Sequence, residues 1–209
     1  MSLNAQRWQQ LLEHLSLPAE DKTYTDLVAA YDAPQRHYHT ARHIAHCLAE
    51  LDLARDLATE PAEIEMALWF HDAVYDTHRT DNERLSAEWA QRFLSGQGLP
   101  AERVQRIVDH ILSTCHTGTA AAADSQLTVD ADLAILGANA AVYQEFESNV
   151  RQEYGWVPAA VFRAKRAEIL ESFLNRPRIY HTAFFHERHE GAARSNLAHA
   201  VRTLRGGRA

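Results

Sequence analysis

Cysteine is nearly missing from this sequence. Cys47 and Cys115 are the only two. They are too few for a disulfide framework or a cysteine-rich zinc site, and a pair of buried thiols in a reducing compartment is the plain expectation. Long apolar runs are missing as well. No stretch approaches the roughly 20 residues that a membrane span needs, so no membrane partner is expected. The opening MSLNAQRWQQLLEHL lacks the apolar core of a signal peptide, which points to a cytoplasmic location. Nor is there a basic excess. A formal charge of −7 argues against a stable nucleic-acid partner, although a bound metal can still offer positive charge to a small anion.

Glycine and proline are scarce, at 8 and 6 residues, and they fall mainly between helical stretches, where helices begin or break. No alternating strand pattern stands out. The apolar period predicts helices at about 4–16, 21–33, 38–57, 61–75, 81–96, 101–115, 126–137, 139–153, 158–175 and 186–205. Thr80 to Glu83 reads as a capping box for the fifth. In the fourth, Ile64, Ala67, Leu68 and His71 share one face. The alanine-rich stretch 117–125 reads as a loop and a candidate flap. The expected architecture is an all-α, single-domain helical bundle spanning 1–209. It divides into an N-terminal extension (1–33), a core (34–137) and C-terminal helices (138–209).

Histidine, by contrast, is plentiful. There are 13, with six between His37 and His78. Abundance decides nothing, because imidazoles ligate metals, carry protons and sit in cores alike. Position is more informative. His71-Asp72 runs straight out of the apolar stretch MALWF, so His71 should point inward. A carboxylate buried beside it without a partner would cost several kcal/mol, and a cation removes that penalty. His39 and His43, four residues apart, share a helix face and can chelate one metal or simply face solvent. Asp130 and Asp132 interrupt an apolar helix about 200° apart around its axis, so only one of them can face a given site.

The order His…(His-Asp)…Asp on separate helices resembles the HD superfamily of metal-dependent phosphohydrolases, in particular a small bacterial subgroup. The stretches carrying the resemblance are RHYHTARHI (36–44), ALWFHDAVYD (67–76), TDNERLSA (80–87), ILSTCH (111–116) and DADLAILG (130–137), with a weaker RIYHTAFFHERHEGAARSNL (178–197). They span most of the chain from about residue 34 onward. The resemblance implies an HD-type helical bundle whose metal ligands are His43, His71, Asp72 and Asp132, with Asp130 as the alternative to Asp132. A second metal at His110 and His116 is a further option within the family, although six residues of regular helix would not put both on one face.

The mixed nitrogen and oxygen donors suit manganese, iron, zinc, nickel or cobalt, with magnesium a weaker fit. The implied reaction is hydrolysis of a small phosphorylated molecule, a nucleotide among the candidates, by metal-activated water. Asp72, Asp76 and His39 are the candidate catalytic groups. Arg36 is a candidate for substrate phosphate, Arg42 a surface pairing residue, and Glu83 a cap. Tyr38, Trp69, Phe70 and Tyr75 read as core. Two alternatives keep the site: a di-iron oxygenase of the same superfamily, and a non-catalytic sensor or interaction module. A homo-oligomer is left open.

Overall fold

A computed structural model describes residues 3–116 and 122–206, and it is all-helical, as expected. The chain separates into two compact units, Met1–Asp132 and Leu133–Ala209. The first holds α1 (Ala5–His14), α2 (Lys22–Tyr31), α3 (Ala41–Ala54), α4 (Pro61–Phe70), α5 (Asn82–Gly96), α6 (Ala101–Ser113) and most of α7 (Ala123–Leu133). The second holds a 3-10 turn (Ala134–Gly137), α8 (Ala140–Glu153), α9 (Ala159–Leu174) and α10 (Ala183–Leu204). No helix among the described residues is long and apolar enough to cross a membrane. Residues 117–121 of the expected flap lie outside the described residues, while Ala123, Asp124 and Ser125 already belong to α7.

Helix α4 is the axis of the first unit. It packs against α1, α3, α5 and α6, and every residue from Ala62 to Phe70 is buried. The face of Ile64, Ala67, Leu68 and His71 is buried, and so is the rest of the helix: α4 is covered all round, as a central helix must be. Its two carboxylates stay inside because arginines from other helices reach them. Glu65 accepts from Arg7 Nε at 2.7 Å and Arg55 Nη1 at 2.9 Å. Glu63 accepts from Arg103 Nε at 2.7 Å and from Arg106 Nε and Nη2 at 2.7 and 2.8 Å. Pro61 opens the helix at a position where its missing N–H is harmless. Asp124 accepts the N–H groups of Thr59 and Glu60 at 2.9 and 2.8 Å, an anion where the helix dipole favours one.

Burial works against a charge on Glu63, but the two guanidiniums outweigh it and hold its pKa below the usual carboxylate value. Glu63→Ala should cost about 2–3 kcal/mol. That is less than the ~3–5 for breaking a fully buried pair, because both arginines reach solvent. A depressed carboxylate stabilises above its ordinary pKa of about 4 and loses that contribution as pH falls through its folded value. The variant should therefore unfold at lower temperature near pH 7, and the gap to the parent should shrink below about pH 4. A melting curve unchanged at pH 7 would contradict the role given to this cluster.

Two element boundaries differ from expectation for the same reason. The fourth helix stops at Phe70, not near 75, and the third begins at Ala41, not at 38. Arg36, itself buried, donates Nη1 to the carbonyls of His39 and Asp72 at 2.9 and 2.7 Å and Nη2 to that of Ala73 at 2.9 Å. Carbonyls that would have continued or preceded a helix are thus taken by one side chain. Thr40, in extended conformation, caps α3 by accepting from the Arg42 N–H. The capping box expected at Thr80–Glu83 is also corrected. Asp81 precedes α5 without a side-chain cap bond and pairs with Arg79 and Arg84.

In the second unit, α10 packs on α9 and on the 3-10 turn. Tyr180 donates its hydroxyl to Leu133 O at 3.0 Å, and Asn196 Nδ2 donates to Leu136 O and Ala138 O at 2.9 and 2.8 Å. Gly137 is required by close approach, since a Cβ there would meet His189 Cβ at 2.5 Å. Of the basic residues in this unit, Lys165 pairs with Glu168 at 2.8 Å and Arg176 lies over the Phe173 ring at 4.3 Å.

Candidate metal centre

Two helices and the end of a third in the first unit bring the site together. His43 stands in the first turn of α3, His71 at the C-terminal cap of α4, Asp72 one residue on, and Asp132 near the end of α7. His43 Nε2 lies 3.1 Å from His71 Nε2, 3.3 Å from Asp72 Oδ2 and 3.1 Å from Asp132 Oδ1. His71 Nε2 lies 3.1 Å from Asp72 Oδ2 and 3.4 Å from Asp132 Oδ1. Neighbouring donors around a cation at bond lengths of about 2.1 Å would stand about 3.0 Å apart at right angles and about 3.4 Å apart at tetrahedral angles. The observed spacings fall in that range.

The ring orientations fit the same reading. His71 Nδ1 lies 3.0 Å from Leu68 O, a carbonyl of the last turn of α4, and a carbonyl only accepts. Nδ1 therefore carries a proton, and the neutral ring turns an Nε2 lone pair toward the cluster. His43 Nδ1 is 2.9 Å from the Tyr38 hydroxyl. Two ring nitrogens facing each other at 3.1 Å need a proton or a cation between them.

Both rings are almost wholly buried, with side-chain exposures of 2%, while Asp72 and Asp132 keep 15% and 13%. The carboxylates are thus the more exposed side of the cluster. Charge is strongly coupled here. Burial opposes a charged His43, but Cys47, Tyr38, Asp132 and Asp72 outweigh it and raise its pKa well above the usual imidazole value. For His71 burial is again outweighed, by Asp72 and Asp132. The carboxyls move the other way. Burial works against charge on Asp72 and Asp132, yet His71, His39 and His43 hold the first well below its ordinary range, and His116, His43 and His71 do so for the second.

The sequence-level candidates divide clearly. Of the paired aspartates, Asp132 faces the cluster, while Asp130 is fully buried elsewhere on α7, as their angular separation requires. His116, past the end of α6 and in a left-handed conformation with φ of 55°, reaches Asp132 Oδ2 at 3.0 Å. His110 does not join it. Its Nδ1 pairs with Ser125 Oγ at 2.8 Å, and burial first of all keeps its pKa low, with Asp124 and Glu63 nearby. Glu63 stands near the N-terminal end of α4, about 12 Å along the helix from His71, and Asp124 of α7 accepts the N–H groups of Thr59 and Glu60 at that same end. Among the described residues, no hydrogen bond or ion pair links His110 to the cluster, so the two histidines do not make a second metal pair.

His39 stacks on Tyr75, ring centroids 4.1 Å apart, close enough to Asp72 to depress its pKa. Asp76 is exposed. It accepts from the His78 N–H at 2.9 Å while its backbone exchanges hydrogen bonds with the Asn82 side chain, which is a turn-building role. Arg36 is corrected from phosphate ligand to backbone clamp, since Nη1 and Nη2 serve three carbonyls and the guanidinium lies over Tyr31 and Tyr75. Trp69 and Phe70 are core, but Tyr38 and Tyr75 belong to the site.

Cys47, Tyr38 and Tyr75 are site residues that sequence reasoning missed. His43, Cys47, His71 and Asp132 offer ligand atoms all within 4.8 Å of one another, and these four can hold a metal ion. Cys47 is buried one helical turn after His43, its sulfur 3.6 Å from Nδ1 and 3.7 Å from Nε2. A sulfur nearly equidistant from both nitrogens flanks the ring and lies off the Nε2 lone-pair axis, so Asp72 Oδ2 is better placed than Cys47 to complete the donor set. The i, i+4 spacing was the available signal. Compared with protein-family models, curated proteins and solved structures, the chain matches none.

Proposed function

We propose that this chain is a metal-dependent phosphohydrolase, a phosphomonoesterase or phosphodiesterase acting on a small phosphorylated molecule. The observation that carries the reading is the convergence of His43, His71, Asp72 and Asp132 at 3.1–3.4 Å inside the first unit. The HD-like order of those residues in the sequence supports it. A divalent transition metal held by that set supplies a Lewis acid for the phosphoryl oxygens and lowers the pKa of a water it binds.

The protein's own groups do the rest. The two imidazoles, His71 oriented by Leu68 O and His43 in contact with the Tyr38 hydroxyl, present the nitrogen donors. Asp72 and Asp132 offset the cation's charge and, being the more exposed pair, face the side from which substrate arrives. His39, stacked beside Asp72, is the ring placed to give a proton to the ester oxygen that leaves. With His110 on α6 paired to Ser125, the donor set supports one metal better than two, and the di-iron oxygenase reading rests on His116 alone.

The test is direct. Chelator-treated protein, resupplied in turn with Mn²⁺, Fe²⁺, Zn²⁺, Ni²⁺, Co²⁺ or Mg²⁺, should release phosphate or a phosphomonoester from a panel of nucleotides and phosphate esters, with about one metal per chain. Bound metal without turnover on any of them would turn the chain into a binding module. Two irons with oxygen consumption would make it an oxygenase.

A further inference from the structure

The two ligand histidines are held by different kinds of partner. Leu68 O can only accept, so the His71 tautomer is forced by the backbone. Tyr38 contributes a hydroxyl, which can accept a proton or donate one. If it donated to His43 Nδ1, the neutral ring would carry its proton on Nε2 and present no lone pair to the cluster. If it accepts, Nε2 is free to ligate. The Tyr38 ring centroid lies 4.8 Å from that of His43, so packing and the 2.9 Å contact together fix the imidazole plane.

We propose that Tyr38 is a positioning residue of the metal centre, accepting the Nδ1 proton of His43 and thereby aiming Nε2 at the cation. This rests on the metal-centre reading above and adds a residue that the four-ligand pattern does not contain. Partners that orient a ligating histidine are typically worth about 10–100-fold in metal affinity.

The experiment compares wild type with Tyr38→Phe, which removes one oxygen and keeps the ring. Zn²⁺ and Co²⁺ should bind the variant about 10–100-fold more weakly, while the melting temperature of the chelated protein stays close to that of wild type. A purely structural tyrosine would do the reverse, lowering the melting temperature and sparing affinity. The metal-loaded wild type carries a second check that needs no variant. The His43 Nδ1 proton, held by the phenol, should give a slowly exchanging resonance in nitrogen-edited NMR spectra. Unchanged affinity in Tyr38→Phe, or an Nδ1 proton in the wild type exchanging as fast as that of a solvent-facing imidazole, overturns the role of Tyr38 and leaves the metal centre intact. A wild type that binds neither ion overturns the centre itself, and the role of Tyr38 with it.

Discussion

Asp72→Ala should abolish phosphoester hydrolysis, by on the order of 10³-fold or more, in a protein that remains folded. The size follows from position. Outer partners of a metal site are worth about 10–100-fold, and Asp72 stands inside that shell, 3.1 Å from His71 Nε2 and 3.3 Å from His43 Nε2. Its loss removes a donor and half of the negative charge that holds the cation. The fold should survive because α4 ends before it and the clamp from Arg36 grips the Asp72 carbonyl, which alanine retains. Asp76→Ala is the matched control. That carboxylate is exposed and engaged with His78, so turnover should stay within about twofold, as for ordinary surface changes. Metal content and phosphate release, measured on both variants with a far-UV spectrum to check folding, separate the outcomes. Turnover surviving in Asp72→Ala would remove the proposed chemistry from this cluster.

The helices were largely legible because their apolar period is a local property of the chain. What was not legible came from side chains acting across long sequence separations. Arg36 ends α4 by gripping carbonyls 36 and 37 residues away, and a guanidinium reads the same whether it will meet a phosphate or a backbone. Glu63 and Glu65 lie inside α4 with no local partner in the sequence. Only the arginines of α1, α6 and the turn after α3 allow that helix to be buried all round.

The ligand set could be named because His71-Asp72 leaves an apolar stretch and because the order of the remaining ligands resembles a known one. Tyr38 and Cys47 sit in the same stretch as His43; Cys47 stands one helical turn from it, but tyrosine carries no spacing signal of its own. His110 and His116 show how limited residue type is as a guide. Six residues of α6 and its end place one by Ser125 and the other by Asp132.

Chelated protein should lose stability as pH rises from about 6 to 9, and added metal should reverse the loss. His43 and His71 both have folded pKa values above the ordinary imidazole value of about 6.5. The stability each contributes is fully present below that ordinary value and is lost as pH climbs through the raised one. Asp72 and Asp132 are depressed, so their contribution is present above their ordinary value of about 3.9 and is lost only on acidification through the folded value. The metal-free cluster is therefore at its best in mildly acidic solution, where two imidazoliums face two carboxylates. Once the rings lose their protons, the carboxylates are left close together without countercharge.

A divalent cation supplies that countercharge without protons, and because it competes with them its affinity should rise with pH, releasing up to two protons per ion below the raised imidazole values. Metal at about 100 times its dissociation constant adds ~2.7 kcal/mol, or roughly 5–10 °C in melting temperature for a chain of this length. Melting curves with chelator and with a fixed excess of Zn²⁺ or Mn²⁺ should therefore diverge steadily toward alkaline pH. Taking the difference between them cancels the general effect of the chain's net charge. A gap that stays constant, or narrows, from pH 6 to 9 would mean that the two imidazoles are not the groups the metal replaces protons on.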